Sequence, residues 1–405
     1  MIANSLKLPS GAVMPNRIVK SAMSEALGDD FNNPSDGLIN IFHRWGKGGA
    51  GLLITGNTPI DRWHLEHAGN VVLDHHTDIN RMKKLTSAAK SGGAYILAQL
   101  AHAGRQTPDT INAHPISMSN IRLDLPGYGE PRAAIDTDLE AVITQFTESA
   151  WLAKEAGFDG VEIHAAHGYL LSSSLSPRIN TRDDNWGGSL ENRARLLLSV
   201  IRSVRTRVGQ QFIVAVKLNS SDFQKGGFSH EDSIEVAKML QGEGIDFLEI
   251  SGGNFETPVS YQHTSRQEST IAREAYFLEY ARDIKKSLNI PIMVTGGFRS
   301  RVVMDNALSS GATDLIGMGR PFIIDPEFPE KLLKGLIDMA PAMERDFPPA
   351  EELPRGAVLN WFCHQLSLHG TVGDSNLALP IVDGHERYLV DMQNLTKRVL
   401  KARRK

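Results

Sequence analysis

The sequence predicts a (β/α)8 TIM barrel with long strand-exit loops and a C-terminal helical extension. Eight short apolar runs recur along the chain, and most are followed by a segment with helical periodicity. Alternation of strands and helices indicates a parallel sheet. Eight rounds fit a closed barrel better than an open, doubly wound sheet. Every run also ends in a polar or glycine residue, as expected where the carboxyl ends of barrel strands carry the function.

The predicted elements follow from these runs. Strands are expected at residues 17–23, 51–57, 94–100, 161–164, 212–218, 247–251, 291–295 and 314–319. Helices are expected at residues 79–91, 139–156, 190–208, 230–241, 275–287 and 301–308. Gly157 and Gly209 follow two of these helices, where glycine commonly ends a helix. Long strand-exit loops are predicted at residues 103–138 and 253–270.

The chain divides into a barrel, residues 1–329, and a helical extension, residues 330–405. The extension is expected to contain helices at residues 330–339, 357–368 and 388–402, with a proline-rich connector at residues 341–354. It is too short to count as a second domain. We expect its helices to pack on the barrel or at a subunit interface.

Composition excludes several classes of protein. The chain has 405 residues, 41% of them hydrophobic, and a formal net charge of −4, which gives no argument for a nucleic-acid or anionic-membrane partner. The single cysteine, Cys363, rules out a disulfide or a cysteine-ligated cluster within one chain. The first residues lack the apolar core of a signal peptide, and no apolar run reaches the length of a membrane span. We therefore expect a cytoplasmic protein.

The fourth predicted strand ends in three polar ring side chains, His164, His167 and Tyr169. Two imidazoles can donate hydrogen bonds to a developing oxyanion, and a phenol beside them can deliver a proton. The same spacing also suits a metal site, which would indicate a metal-dependent lyase. A structural role in a loop is the third possibility. This stretch alone leaves all three open.

Two glycine loops follow the last two predicted strands. Gly296 and Gly297 precede Arg299, and Gly319 precedes Arg320. Exposed backbone N–H groups can surround a phosphate and either arginine can add charge, so the loops favour a phosphate site, which is common at this place in such barrels. The alternative is that these glycines only permit tight turns.

Two further polar residues interrupt apolar strands. Lys217 ends the fifth run and requires an anionic partner; that partner is either the electron-rich edge of a flavin or a carboxylate, Glu249 or Asp222. Gln99 ends the third run and can both donate and accept hydrogen bonds. It suits a flavin pyrimidine edge, or it fills a layer of the barrel interior.

Several motifs resemble the Old Yellow Enzyme family of FMN-dependent ene-reductases, also called NADH:flavin oxidoreductases. The similarity runs from about residue 6 to residue 329. The motifs are NRIVKSAMSEA, AQLAHAGRQ, AGFDGVEIHAAHGYLLSSSLSPRINTRDDNWGGSLENRARLL, VKLNSSDF, EISGGNFE, TGGFRS and GMGRPFIIDPEF. The long central motif is highly specific to the family, whereas GRP alone is weak.

This resemblance implies an FMN-bearing barrel that takes hydride from NADPH or NADH and passes it to an electron-poor C=C bond. It implies that His164 and His167 bind the carbonyl or nitro oxygen of a small electrophilic alkene and that Tyr169 protonates its α-carbon. The implied cofactor-binding residues are Ala22, Met23, Ser24, Asn57, Gln99, Lys217, Gly296, Gly297, Gly319 and Arg320.

Two positions depart from the family pattern. Ser24 stands where relatives have a cysteine or threonine, which affects the redox potential, and Ala26 replaces an aromatic residue, which affects substrate size. By analogy a homodimer or homotetramer is expected. A non-catalytic flavin-binding protein remains the further alternative.

Overall fold

Eight parallel strands close into a barrel in this computed structural model, which describes residues 1–256, 277–371 and 373–403. The strands are β1 Ile18–Lys20, β2 Leu52–Pro59, β3 Tyr95–Ala101, β4 Gly160–Ala165, β5 Ile213–Asn219, β6 Phe247–Ser251, β7 Ile292–Thr295 and β8 Leu315–Met318. They pair in chain order, and β8 pairs with β1 to close the ring. The predicted TIM barrel is confirmed.

The barrel strands are apolar because both of their faces are covered. Every residue of β4 and β5 is buried, as expected for a parallel sheet with helices outside and packed side chains inside. Most predicted strands agree with the observed bounds to within two residues. The first strand is shorter than predicted, since it ends at Lys20 and the chain then crosses the barrel mouth.

Helices surround the barrel. They are α1 Asp36–Lys47, α2 Ile79–Ala89, α3 Asp136–Glu155, α4 Leu170–Leu175, α5 Leu190–Val208, α6 His230–Gly242, α7 Leu278–Lys285, α8 Arg301–Ser309 and α9 Arg320–Ile324. Side-chain caps begin several of them, as when Ser189 accepts a hydrogen bond from the backbone of Asn192. Helix α1 was not predicted, although Ser35 caps it by accepting from the backbone N–H of Leu38.

Helix α10, Phe328–Leu333, spans the predicted boundary at residue 329, and the C-terminal extension beyond it contains α11 Ala357–Thr371 and α12 Ile381–Ala402. Helix α11 contacts the barrel helices, since His369 Nε2 donates to the carbonyl of Ile323 at 2.7 Å. A Cβ atom on Gly37 would lie 3.1 Å from Gly370, so α1 and α11 approach closely. The boundary at residue 329 stays a prediction.

Two short two-stranded ladders lie outside the barrel. One joins Leu6–Lys7 to Val13–Met14, and the other joins Ile116–Ser117 to Arg132–Ala133 within the predicted loop at residues 103–138. Most of the second predicted loop, residues 257–270, lies outside the described residues. None of the helices that the structure describes has the length and apolar content needed to span a membrane.

Candidate functional site

Strand register brings the polar residues of the middle strands together at the carboxyl end of the barrel. Asn57 on β2 pairs with Gln99 on β3, and Gln99 pairs with Glu162 on β4. His164 on β4 pairs with Lys217 on β5. Two polar rows, offset by two residues along the strands, therefore join Asn57, Gln99 and Glu162, and His164 and Lys217, although these residues are far apart in the sequence.

The turn after β4 positions the two histidines and the tyrosine. His167 and Gly168 both have positive φ, at 63° and 82°, a conformation that is costly for a side chain such as histidine. A Cβ atom on Gly168 would lie 2.7 Å from the amide oxygen of Gln106, so only glycine fits there. The ring centroid of His164 lies 5.1 Å from that of His167 and 4.8 Å from that of Tyr169. The predicted trio thus forms one ring cluster.

Both imidazoles of this cluster are neutral. Burial lowers the pKa of His164 well below its ordinary value, and the charges of His167 and Lys217 act in the same direction. Burial, with Lys217, lowers the pKa of His167 to about 3 against the opposing effect of Glu249. His164 Nδ1 accepts from the backbone N–H of Ala166 at 3.2 Å, so its proton lies on Nε2. His164 is therefore an uncharged donor.

The phenol of Tyr169 is 2% exposed and accepts a hydrogen bond from Asn57 Nδ2 at 2.9 Å. The same Asn57 nitrogen donates to Glu66 Oε2 at 2.6 Å, and the hydroxyl of Ser24 donates to that oxygen at 2.8 Å. Glu66 is a site residue that the sequence analysis missed, because it lies in a loop and belongs to none of the motifs. His167 Nε2 lies 2.7 Å from the hydroxyl of Ser251.

Lys217 forms an ion pair with Glu249, with 2.8 Å between Nζ and Oε1, deep in the barrel. Of the two anionic partners expected for Lys217, a flavin edge or a carboxylate, the structure shows the carboxylate of Glu249. Burial acts to lower the pKa of Lys217, but Glu249 and Glu162 outweigh it and raise that pKa. Burial likewise acts to raise the pKa of Glu249 and is outweighed by Lys217. The pair is charged on both sides.

Glu162 is the second carboxyl group of this cluster and is fully buried. Gln99 Nε2 donates to Glu162 Oε2 at 2.6 Å. Burial raises the pKa of Glu162 well above its ordinary value, the charge of Glu249 adds to that rise, and Lys217 opposes it. Since one lysine faces two carboxyls, the proton of this cluster is favoured on Glu162.

The exits of β7, β8 and β1 look different, because they include glycines and are partly exposed. Gly296 and Gly297 have φ of 115° and 81°. Several residues here are partly exposed beside fully buried strands: Ala22, Met23, Ser24, Gly296, Gly297, Gly319 and Arg320. A Cβ atom on Gly319 would lie 3.2 Å from the sulfur of Met23, so these two exits are in contact.

The two arginines of this region have separate environments. Arg299 is buried and forms a hydrogen-bonded ion pair with Glu344 of the C-terminal extension. Arg320 Nη1 lies 4.0 Å from the same carboxylate, and its side chain is 31% exposed. Burial acts to raise the pKa of Glu344, but Arg299 and Arg320 lower it. Of the two predicted cations, Arg320 is therefore the better placed to meet a ligand.

His164 and His167, the metal-site alternative from the sequence, belong to no group of three possible metal ligands in the part of the chain that the structure describes. Among the described residues, the group that brings three possible metal ligands together is Asp61, His64 and His102, with ligand atoms within 4.8 Å of one another. His64 Nε2 accepts from the backbone of Ile116, and His102 Nδ1 accepts from that of Gly104. His64 Nδ1 therefore donates to Asp61 Oδ2 at 2.8 Å, whereas His102 Nε2 lies 3.6 Å from that oxygen, beyond hydrogen-bond distance.

Comparison with known proteins gives the family. The model of the NADH:flavin oxidoreductase / NADH oxidase family matches residues 6–339. The chain belongs to this family. It is 36% identical over 350 residues to the NADH-dependent flavin oxidoreductase nadA of Aspergillus parasiticus, covering 82% of this chain and 78% of that protein.

Two solved structures share the fold. A 2-naphthoyl-CoA reductase complex superimposes with a TM-score of 0.77 at 27% identity, over 84% of this chain and 53% of that one. This chain thus spans about half of that enzyme. An Old Yellow Enzyme homologue from Zymomonas mobilis matches with a TM-score of 0.72 at 24% identity, over 88% of this chain and 98% of that one.

The family makes this chain a flavin oxidoreductase, with FMN as cofactor and NADH or NADPH as hydride donor. The described residues fit FMN. Partly exposed glycines and Arg320 suit a phosphate. The other exits offer an amide at Gln99 and a cation at Lys217, which suit the polar edge of an isoalloxazine ring.

Proposed function

We propose that this flavin oxidoreductase is an ene-reductase, which reduces activated C=C bonds of α,β-unsaturated carbonyl or nitro compounds. One observation carries the proposal. His164, His167 and Tyr169 form a single buried cluster at the exit of β4, and both imidazoles are neutral. Neutral donors next to a phenol suit a reaction in which negative charge appears on an oxygen and a carbon then takes a proton.

In this proposal the barrel mouth has two tasks. Ala22, Met23, Ser24, Asn57, Gln99 and Lys217 line the flavin ring, while Gly296, Gly297, Gly319 and Arg320 hold the phosphate. When bound, FMN supplies the hydride that goes to the β-carbon of the alkene. The protein's own contribution is to orient the alkene, to stabilise the charge that develops and to deliver a proton.

The ring cluster performs the second and third of these steps. Hydride arrival at the β-carbon places negative charge on the activating oxygen, where His164 and His167 donate hydrogen bonds. Such donors lower the barrier because their bonds strengthen as the charge develops. The O–H bond of Tyr169 then breaks as a C–H bond forms at the α-carbon. The resulting tyrosinate recovers its proton from solvent.

The experiment that tests this function follows the flavin absorption of the purified, FMN-loaded protein without oxygen. NADH or NADPH is expected to bleach the flavin bands, and an enone, a maleimide or a nitroalkene is expected to restore them with formation of the saturated product. The saturated analogue of each alkene is the matched control and should restore nothing. Bleaching by NADH without recovery on any activated alkene would contradict the proposal.

A further inference from the structure

We propose that Asn57 and Glu66 act together as a positioning unit that makes Tyr169 a proton donor. This inference rests on the proposed function and adds two residues to its protonation step. Asn57 contacts the reacting phenol directly, whereas Glu66 acts through Asn57. Neither contact is evident from the sequence, because the three residues lie on β2, on the loop after it and on the turn after β4.

The orientation of the Asn57 amide is fixed by charge. Its Nδ2 atom lies 2.6 Å from Glu66 Oε2. In the flipped orientation an amide oxygen would face a carboxylate oxygen at that distance, and two acceptors repel each other. Asn57 Oδ1 is buried and accepts no hydrogen bond within the part of the chain that the structure describes. Both hydrogen bonds of the side chain among the described residues therefore run through Nδ2, and Glu66 determines which atom faces Tyr169.

Glu66 is suited to orienting the Asn57 amide because the hydrogen bonds that it accepts come from neutral donors. Its Oε2 atom also accepts from the hydroxyl of Ser24 at 2.8 Å. The imidazole of His67 lies 3.8 Å from the same oxygen, and burial lowers the pKa of that imidazole. No lysine or arginine of the described residues lies within ion-pair distance of Glu66. No lysine or arginine of the described residues therefore competes with the Asn57 amide for this carboxylate.

The oriented amide determines how the phenol is used. Since Asn57 Nδ2 donates to Tyr169 Oη, the phenol oxygen is the acceptor, and the phenol's own hydrogen takes no part in that bond. When the phenol O–H bond breaks and the C–H bond forms at the α-carbon, negative charge stays on Oη. The amide donor faces this charge, and a hydrogen bond to a charged atom is stronger than one to a neutral atom.

The first experiment is a double-mutant cycle that combines Asn57→Ala with Tyr169→Phe. The quantity measured is the rate at which an enone reoxidises the enzyme that carries reduced FMN. With Tyr169 present, Asn57→Ala is expected to slow this step by about 10- to 100-fold, the loss of one hydrogen bond to a charged atom. In the Tyr169→Phe background the same change should have almost no effect. Equal losses in both backgrounds would overturn the inference, because Asn57 would then act on the flavin.

The second experiment reads the hydrogen bond without turnover. The ¹³Cζ chemical shift of Tyr169 in the FMN-loaded protein reports acceptance of a hydrogen bond at Oη. Asn57→Ala should move this shift, and Glu66→Gln should move it in the same direction, since a neutral amide no longer dictates the orientation of Asn57. His67→Phe is the matched control, because His67 lies 3.8 Å from Glu66 Oε2 without bonding it, and its replacement leaves the Asn57 bond intact.

The outcomes separate this inference from the function on which it rests. If Tyr169→Phe slows alkene reduction but Asn57→Ala and Glu66→Gln leave both the rate and the chemical shift unchanged, the positioning unit is refuted and the ene-reductase stands. If Tyr169→Phe has no effect on alkene reduction, the assigned proton donor fails, and the inference fails with it.

Discussion

The two sides of the barrel mouth are built in different ways. The ring side, which comprises the exits of β3 to β6 with Gln99, His164, His167, Lys217 and Glu249, consists of buried polar side chains that bond one another. The glycine side, which comprises the exits of β7, β8 and β1 with Gly296, Gly297, Gly319 and Arg320, is partly exposed. Buried, mutually ordered donors suit chemistry, whereas open backbone suits binding. Substitutions on the ring side should therefore slow alkene reduction, whereas substitutions on the glycine side should weaken FMN binding.

The largest loss is expected from Tyr169→Phe on the ring side. Removing a positioned general acid should slow alkene reduction by about 10²- to 10⁴-fold. Reduction of the flavin by NADH needs no proton from this phenol and should suffer far less. Rapid-mixing measurements of each half-reaction give the two losses separately. Losses of equal size in both halves would contradict the role given to Tyr169.

His164→Ala comes next, because His164 Nε2–H is a neutral donor that strengthens its bond as charge develops on the substrate oxygen. We expect alkene reduction to fall by about 10²- to 10³-fold, as when one oxyanion donor is removed. His102→Ala is the matched control, since it deletes another buried imidazole, at the exit of β3. If His102→Ala lowers alkene reduction relative to flavin reduction as much as His164→Ala does, the assignment fails.

The glycine side should respond in FMN affinity. Gly297 has a φ of 81°, so alanine there costs about 1–2 kcal/mol in backbone strain and disturbs the N–H groups near the phosphate. We expect FMN to bind about 10-fold more weakly, measured by fluorescence titration. Gly311→Ala imposes similar strain, at a φ of 69°, in open space on the turn before β8. FMN affinity that falls equally in both variants would show a general effect of strain.

The smallest expected effect is on the pH dependence of stability and comes from the proton that Glu162 holds in the folded protein. Its pKa in the folded protein is raised by burial above the ordinary value of 4.5, so the native state holds a proton that the unfolded chain releases. This contribution to the free energy of unfolding is complete below pH 4.5 and is lost as the pH rises towards the raised pKa. Glu162→Gln should remove this decrease in the free energy of unfolding with rising pH, because glutamine does not titrate.

Urea unfolding of the full-length protein across a series of pH values measures this effect. Wild type should lose stability relative to Glu162→Gln as the pH increases. Glu249→Gln is the informative comparison, because it leaves Lys217 buried without its partner and should destabilise the protein at every pH. Parallel stability curves for wild type and Glu162→Gln would mean that Glu162 is ionised in the native state.

Much of this architecture could be predicted from the sequence. Apolar runs mark the strands, because a parallel strand is buried on both faces, and polar residues mark the strand exits. The trio His164, His167 and Tyr169 was found as a group because its members follow one strand. Helix α1 was missed although Ser35 and Asp36 carry an ordinary helix-start signal.

The missed site residues, Glu66 and Glu344, lie outside the strand-exit motifs, and the tertiary fold brings them to their partners. Glu66 meets Asn57 only because the loop after β2 folds back over the barrel mouth. Glu344 meets Arg299 only because the C-terminal extension reaches the exit of β7. The sequence offered Glu249 and Asp222 as carboxylate partners of Lys217, and the register between β5 and β6 selects Glu249. No local pattern encodes such contacts, and the tertiary fold alone creates them.

The central claim is that hydride and proton reach the alkene from different sources. The direct test is NMR analysis of the product when an enone is reduced with unlabelled NADH in D₂O. We predict one deuterium at the α-carbon, delivered by the solvent-exchanged Tyr169 hydroxyl, and none at the β-carbon. Deuterium at the β-carbon, or its absence from the α-carbon, would contradict the account.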